Sequence, residues 1–565
     1  MRTAGPEGTS FTAHRPGAAG HSRRFPAGGR GGFAPPLLFV TLLLTGGLAA
    51  LPSHAQESTE GPVRETGVYR RPLGNDPATL DPVRVSDLYG RSVAEQIFDG
   101  LVQFDQTLTI TPALARFWKA SRDGLVWTFT LRQGVKFHHG RELTSDDVIF
   151  SLTRILDPKI QSGAADLFSS IEGAQDFREG RAPAVSGLQA PDRYTVQVTL
   201  REASTPFVSV LALGHAKIVP RDVVEKQGDA FGQHPVGTGP FKFVRWERRK
   251  EIVLAANRDY FEGPPRLARV LYRIFPGELS DVMCRDFDRG ELDESPVPPV
   301  CRSKVNDARY QYVRRVTFSV RFYGLQTRTK PMSDVRVRRA IAHAIDRNVL
   351  LQDVFTGRFP AASGILPLGL PGYNPNLKPL GYAPARAREL LREAGYPEGR
   401  GLPTIVLWSG ARSERLEREL DTVSRQLGAV GIKTETRFET DWPTFSRQVS
   451  EGKLPMFIYA WYADVPDPDN FLFRLFYSRS PRNLTGYSNS VVDALLLQAR
   501  GEKELARRME LYRRAEQTIL DDAPIIPIWH YPFERLFQGY VRSVEVNGLG
   551  DPYIPLRKIW LEDRR

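Results

Sequence analysis

The chain has 565 residues, 41% hydrophobic and 25% charged, which is enough apolar material for two or three cored domains and excludes a disordered chain. The formal net charge of +12 does not point to nucleic acid, because the basic residues are interleaved with acids. Arg412-Ser413-Glu414-Arg415-Leu416-Glu417-Arg418-Glu419 is the pattern of a solvated helix face with i,i+4 ion pairs, so no nucleic-acid partner is expected.

In chain order, residues 1–55 read as a signal peptide. A basic stretch with Arg15, Arg23, Arg24 and Arg30 runs into the apolar segment Leu37 to Leu51, and Ser53-His54-Ala55 offers the small residues of a cleavage site. The segment is short for a membrane span, an uncleaved anchor being the alternative. No cysteine lies near the cleavage point, so the expectation is a periplasmic protein without a lipid anchor.

Alternation of polarity predicts strands at Trp127 to Leu131 and Tyr194 to Leu200. Between them Thr144-Ser145-Asp146-Asp147, followed by Val148, Phe150 and Leu152, predicts a capped helix start. Cys284 and Cys301 are the two cysteines of the chain, and export favours a disulfide of ~3 kcal/mol between them over two free thiols. Asp334 opens a helix carrying Val337, Ile341, Ala344 and Ile345, and Pro384 opens another that stops at Gly395. A strand from Thr404 to Trp408, a helix with Leu416, Leu420, Val423 and Leu427 in line, and a strand from Ile432 to Phe438 form a βαβ-type unit. A last strand, Met456 to Trp461, ends in an acidic loop, the kind of strand end that favours ligand sites.

Enzyme motifs fail one by one. His138 and His139 are adjacent, not spaced at i and i+4, so with Glu142 they make no helical zinc site. There is no Gly-x-Ser-x-Gly elbow and no phosphate-binding Walker pattern, and Pro240 spoils Gly237-Thr238-Gly239 as a dinucleotide loop. No catalytic residue, metal ligand or cofactor is expected. The densest polar group is Asp464-Val465-Pro466-Asp467-Pro468-Asp469-Asn470, preceded by Trp461, Tyr462 and Ala463. Its spacing does not fit an EF-hand. A carboxylate beside a large aromatic ring is a receptor for an ammonium group, the alternative being a capped, solvated turn.

These segments together resemble the oligopeptide- and dipeptide-binding proteins, the family 5 extracellular solute-binding proteins of ABC importers. The resemblance is carried by Leu80-Asp81-Pro82, Phe98-Asp99-Gly100-Leu101, Trp127-Thr128-Phe129 through Gly134-Val135-Lys136-Phe137-His138 to Asp146-Asp147-Val148, and Gly237-Thr238-Gly239-Pro240-Phe241. It continues in Asp334-Val335-Arg336-Val337-Arg338, Ala344-Ile345-Asp346-Arg347, Glu393-Ala394-Gly395-Tyr396 and Pro524-Ile525-Ile526-Pro527. It implies an α/β fold of the type II periplasmic binding protein kind, with two lobes, three domains, a hinge and an interlobe ligand cleft. On this pattern residues 56–100, 232–318 and 525–565 form the base of lobe I, 101–231 its subdomain and 319–524 lobe II.

The resemblance further implies a monomeric, non-enzymatic receptor that binds peptides and delivers them to membrane permease subunits. A non-peptide cargo such as a nickel chelate, haem, oligosaccharide or opine is the alternative within the family, and a secreted hydrolase the alternative outside it. Asp464 falls where peptide-binding members pair with the α-amino group, with Trp461, Tyr462 and Ala463 beside it. Backbone around Ser86, Asp87, Leu88 and Tyr89 would bond the ligand main chain like an added strand. Arg412 or Arg415 lies near the family's carboxylate anchor, helix-surface charge being the alternative.

Overall fold

The computed structural model describes residues 67–562 except residue 278, so the signal peptide read from the sequence lies outside the described residues. The chain enters through strand β1 (Val68–Leu73) and helix α1 (Leu88–Ile97), whose first turn is capped by the Asp87 side chain accepting from Gly90 N–H. It then builds a subdomain from strands β2 (Ala115–Ala120) and β3 (Val126–Leu131), helix α2 (Ser145–Leu156), and strands β4 (Leu188–Asp192) and β5 (Thr195–Thr199). The strands form an antiparallel sheet in the order β2–β3–β5–β4. Period-two alternation buries Val196 and Val198 on one face, and the 3.6-residue repeat of Val148, Leu152 and Ile155 brings α2 into the same core. The helix starts where the capping signal lies: Thr144 N–H donates to Asp147 Oδ2 at 3.1 Å.

Returning to the base of lobe I, the chain lays down β6 (Phe241–Glu247), β7 (Glu251–Ala256) and β8 (Arg269–Ile274). The sheet order is β1–β8–β7–β6, with β1 parallel to β8. Base and subdomain are joined by residues that stood out as sequence motifs. Thr238 and Tyr260 hydroxyls donate to the two oxygens of Asp99 at 2.7 and 2.9 Å, and His138 bonds the Gly237 and Gly239 backbone. Gly237 and Gly239 lie so close to the Ile97 backbone that a Cβ would strike it, which is why this turn takes glycine. Helix α3 (Ser280–Asp288) carries Cys284, disulfide-bonded to Cys301 inside a small core with Phe287 and Leu292.

After β9 (Glu294–Pro296) and β10 (Tyr310–Val316) the chain crosses to lobe II as β11 (Ser319–Leu325). Lobe II contains α4 (Val335–Ala344), α5 (Pro384–Glu393), β12 (Ile405–Ser409), α6 (Glu414–Gly428), β13 (Thr434–Phe438) and β14 (Met456–Tyr462). It closes with α7 (Leu472–Phe476), α8 (Ser490–Gly501), α9 (Leu505–Asp522) and β15 (Ile525–Trp529), so the expected end of lobe II at residue 524 moves to 529 because β15 pairs with β11 and completes that sheet, and β16 (Pro532–Gln538) returns to lobe I between β9 and β10. The lobe II sheet has the order β13–β12–β14–β11–β15, with β12 parallel to β13 and β14. Since β11 runs antiparallel to β14 and β15, one sheet edge gathers the carboxyl ends of four strands and the start of the fifth.

The two crossovers run side by side as a hinge. Thr317 donates from its backbone N–H and its hydroxyl to Tyr531 O, and Tyr531 N–H donates to Ser319 Oγ at 3.0 Å. Among the described residues no helix is long and apolar enough to cross a membrane.

Candidate ligand-binding site between the lobes

The carboxyl-end edge of the lobe II sheet faces lobe I, and the acidic loop after β14 is the part that reaches it. Val465 packs into the hydrophobic core of the lobe I subdomain, while Leu108 of that subdomain packs against the lobe II core. The rim is closed by polar contacts: Thr205 N–H and hydroxyl donate to Arg500 O and Glu502 O, and Lys503 Nζ donates to Arg122 O at 2.6 Å. The lobes are therefore in contact on both sides of the loop.

Asn470 shapes the loop. Its side-chain oxygen accepts from Trp461 Nε1 at 3.2 Å and from Asp464 N–H at 3.1 Å, fixing the indole and the backbone of the candidate anchor together. Each of the three carboxylates meets an arginine. Asp464 Oδ2 accepts from Arg474 Nη1 at 2.7 Å. Asp467 takes a bidentate pair from Arg508 at 2.7 and 2.8 Å. Asp469 lies 3.3 Å from Arg500 Nε and accepts from the Tyr512 hydroxyl at 3.0 Å. Each carboxylate of the loop is thus already matched by a guanidinium group, and among the described residues no group of three or more histidines, cysteines and acids could hold a metal. His138 is buried on the glycine turn, where desolvation pushes it down to about 4, and His139 faces Asp222.

Asp464 differs from its two neighbours in facing the other lobe. Its charge is felt by two buried lobe I groups, His215 and Tyr553. Burial, helped by Arg91 and Arg474 and opposed by Asp464, pushes His215 down to about 4, so the imidazole is neutral near pH 7. Burial likewise raises Tyr553 above the usual phenol range. Val85 bonds His215 through its backbone, placing the segment ahead of α1 at the same junction. Arg474 ties the halves together: Nη1 holds Asp464 and Nη2 holds Asp166 of the lobe I subdomain at 2.5 Å.

Among the residues expected from sequence, Asp464 and Trp461 meet at this junction. Tyr462 is 46% exposed and stacks on Tyr531 of the hinge at 5.4 Å, and Ala463 N–H is committed to Phe318 O. The expectation for Ser86 to Tyr89 needs correction. Leu88 and Tyr89 form the first turn of α1 and Asp87 is its cap, so extended backbone ends at Asp87 and no strand-like pairing can run through to Tyr89. Arg412 takes the surface alternative: its guanidinium is 65% exposed, bound to Glu417 at 2.6 Å and lying over the Phe438 ring. Arg474, Asp166, Arg91, His215 and Tyr553 also meet here and belong to no sequence motif described above. A lone arginine in an apolar run, Phe471-Leu472-Phe473-Arg474-Leu475-Phe476, was the available signal for the first of them.

Known proteins share this architecture. Residues 109–483 match the bacterial extracellular solute-binding proteins, family 5, middle region. The chain is 29% identical over 521 residues to Heme-binding protein A of Haemophilus influenzae, covering 87% of this chain and 92% of that one. It is 29% identical to Di/tripeptide-binding protein 2 of Pseudomonas aeruginosa, covering 80% and 88%. The structure of the periplasmic binding protein DppA from Helicobacter pylori, in complex with the peptide STSA, superposes with a TM-score of 0.74 at 28% identity over 88% of this chain and 98% of that one. With two lobes, a paired hinge and a matching family profile over most of its described length, the chain belongs to the family 5 bacterial extracellular solute-binding proteins.

Proposed function

We propose that this chain is a periplasmic receptor that encloses a peptide between its lobes and presents it, unaltered and as a monomer, to the membrane permease of an ABC importer. The observation that carries the reading is the convergence of Asp464, at the end of a parallel strand, with His215, Tyr553 and the backbone at Val85 from the opposite lobe. Support also comes from the relative that holds the peptide STSA and from the relative named for di- and tripeptides. In this reading the amino end of the cargo meets Asp464, whose second oxygen has no protein partner among the described residues, next to Trp461 and Tyr462. Extended backbone at Ser86 and Asp87 bonds its main chain.

Contacts that form only when both lobes touch the cargo shift the population toward closure. A carboxylate bound by a guanidinium is a binding group and a poor proton shuttle, which suits a receptor rather than a hydrolase. Calorimetric titration of ligand-free protein with unmodified peptides, from dipeptides to octapeptides, tests the reading. Saturable heat accompanied by a smaller radius of gyration is expected. No heat and unchanged scattering across the series would overturn it. The similarity to a protein named for haem makes haem the second cargo to try, and a shifted Soret band on mixing would select it.

A further inference from the structure

The pocket that would receive a ligand ammonium, a carboxylate beside an aromatic face, already holds a cation, and that cation belongs to the protein. Arg474 Nη1 is 2.7 Å from Asp464 Oδ2, and the same guanidinium lies over the Trp461 ring at 5.3 Å. One side chain thus occupies both halves of an ammonium receptor, the ion pair and the cation–π face. The arrangement is built in: Arg474 is 7% exposed, is carried on α7 among Leu472, Leu475 and Phe476, and is held from the other lobe by Asp166. Arg482 lies 4.0 Å from Asp166, so the two carboxylates are matched by two guanidinium groups before any cargo arrives.

The groups left over favour an amide. The second Asp464 oxygen can accept an N–H, and Arg474 Nε is buried with no acceptor. An acylated amino end supplies both partners, an N–H for the carboxylate and a carbonyl for the guanidinium. A free ammonium supplies donors alone and adds a positive charge beside Arg474 and Arg91.

We propose that Arg474 is a specificity-determining residue that fills the ammonium pocket, so that the receptor accepts peptides with a blocked, uncharged amino end as readily as free ones. The proposal rests on the peptide reading above. With Arg474 in place, Asp464 acts on the cargo as a neutral acceptor; without it, Asp464 becomes an unneutralised anchor that demands an ammonium.

The test uses one peptide series prepared twice, with free and with acetylated amino ends, titrated into ligand-free wild-type protein and into Arg474→Gln and Arg474→Ala. The wild type is expected to bind the two forms of each peptide within about tenfold of each other, and the variants to prefer the free form by about a hundredfold or more. Wild-type protein that rejects the acetylated series by a hundredfold overturns the proposal on its own, whether or not the variants fold. So does a variant whose preference equals that of the wild type. Binding of neither series by the wild type removes the peptide reading itself, an outcome distinct from binding with the wrong preference.

Discussion

Asp467 and Asp469 differ from Asp464 in where their partners sit, although one short loop carries all three. The first two are held inside lobe II by a stripe on α9: Arg508 reaches Asp467, Tyr512 reaches Asp469, and Glu516, one turn further on, accepts from the Ile365 and Leu366 N–H groups. Spacing of four residues puts these side chains on one helical face. Asp464 is held by Arg474, which also grips the opposite lobe. The inner half of the loop fixes it to its own lobe, whereas the outer half is tied through Arg474 to the opposite lobe and, in the proposed reading, meets the cargo. Identical residue types at neighbouring positions thus take different work from the direction their partners come from.

Breaking the inner half should cost most. Asp467→Ala leaves Arg508, 4% exposed, without its bidentate partner, and about 3–5 kcal/mol of stability should be lost in urea unfolding. Peptide affinity per folded molecule should stay within a few-fold. A large loss of affinity with little loss of stability would reverse the assignment of the two halves.

Glu516 gives the next effect and a pH signature. Burial pushes its carboxyl up to about 7, against the pull of the two N–H groups. The unfolded chain releases this proton near the ordinary value of ~4.3, so between the two values the folded state holds a proton that the unfolded state does not. This contribution is complete below about pH 4 and is lost as pH rises through about 7. Glu516→Gln keeps an acceptor for the two N–H groups and removes the charge, so it should stabilise by about 3 kcal/mol at pH 8 and hardly at all at pH 4. Equal effects at the two pH values would mean that the carboxyl is not held protonated.

Gly237→Ala should follow, at about 1–3 kcal/mol, because the new methyl group meets the Ile97 backbone. The outer half responds in binding instead. Asp464→Asn should lower peptide affinity about tenfold or more in calorimetry, with about 1 kcal/mol lost in unfolding, since the new amide keeps an oxygen for Arg474, which also retains Asp166. Arg412→Ala, at an exposed pair, should change neither measurement by more than ~0.5 kcal/mol.

The same division explains what could be read from the sequence. Signals that act within one turn or one strand were legible: Asp334 caps α4, Pro384 opens α5, Gly395 ends it with a positive φ, and the βαβ spacing gave the parallel pair β12 and β13. The motifs of the first half that carry the family resemblance turn out to be joints of lobe I. Asp99 with Thr238, His138 with the glycine turn and Asp81 with Arg154 hold the base and subdomain together. Asp464 could be singled out because its loop follows a strand end. Arg474 could not, because what makes it matter is Asp166, 308 positions away, and an arginine's partner is decided by tertiary folding rather than by neighbours in the chain. Ser86 to Tyr89 differ from the expectation for the opposite reason: Asp87 is a strong helix cap, a local signal that ends extended backbone at that residue.

The central claim, that a peptide lies between Asp464 and the opposite lobe, is tested most directly by native mass spectrometry of the protein as purified from the periplasm, followed by release and sequencing of what it carries. The account predicts short peptides of mixed sequence, with acylated or otherwise blocked amino ends among them. Release of haem, a sugar or a metal chelate in their place would contradict it.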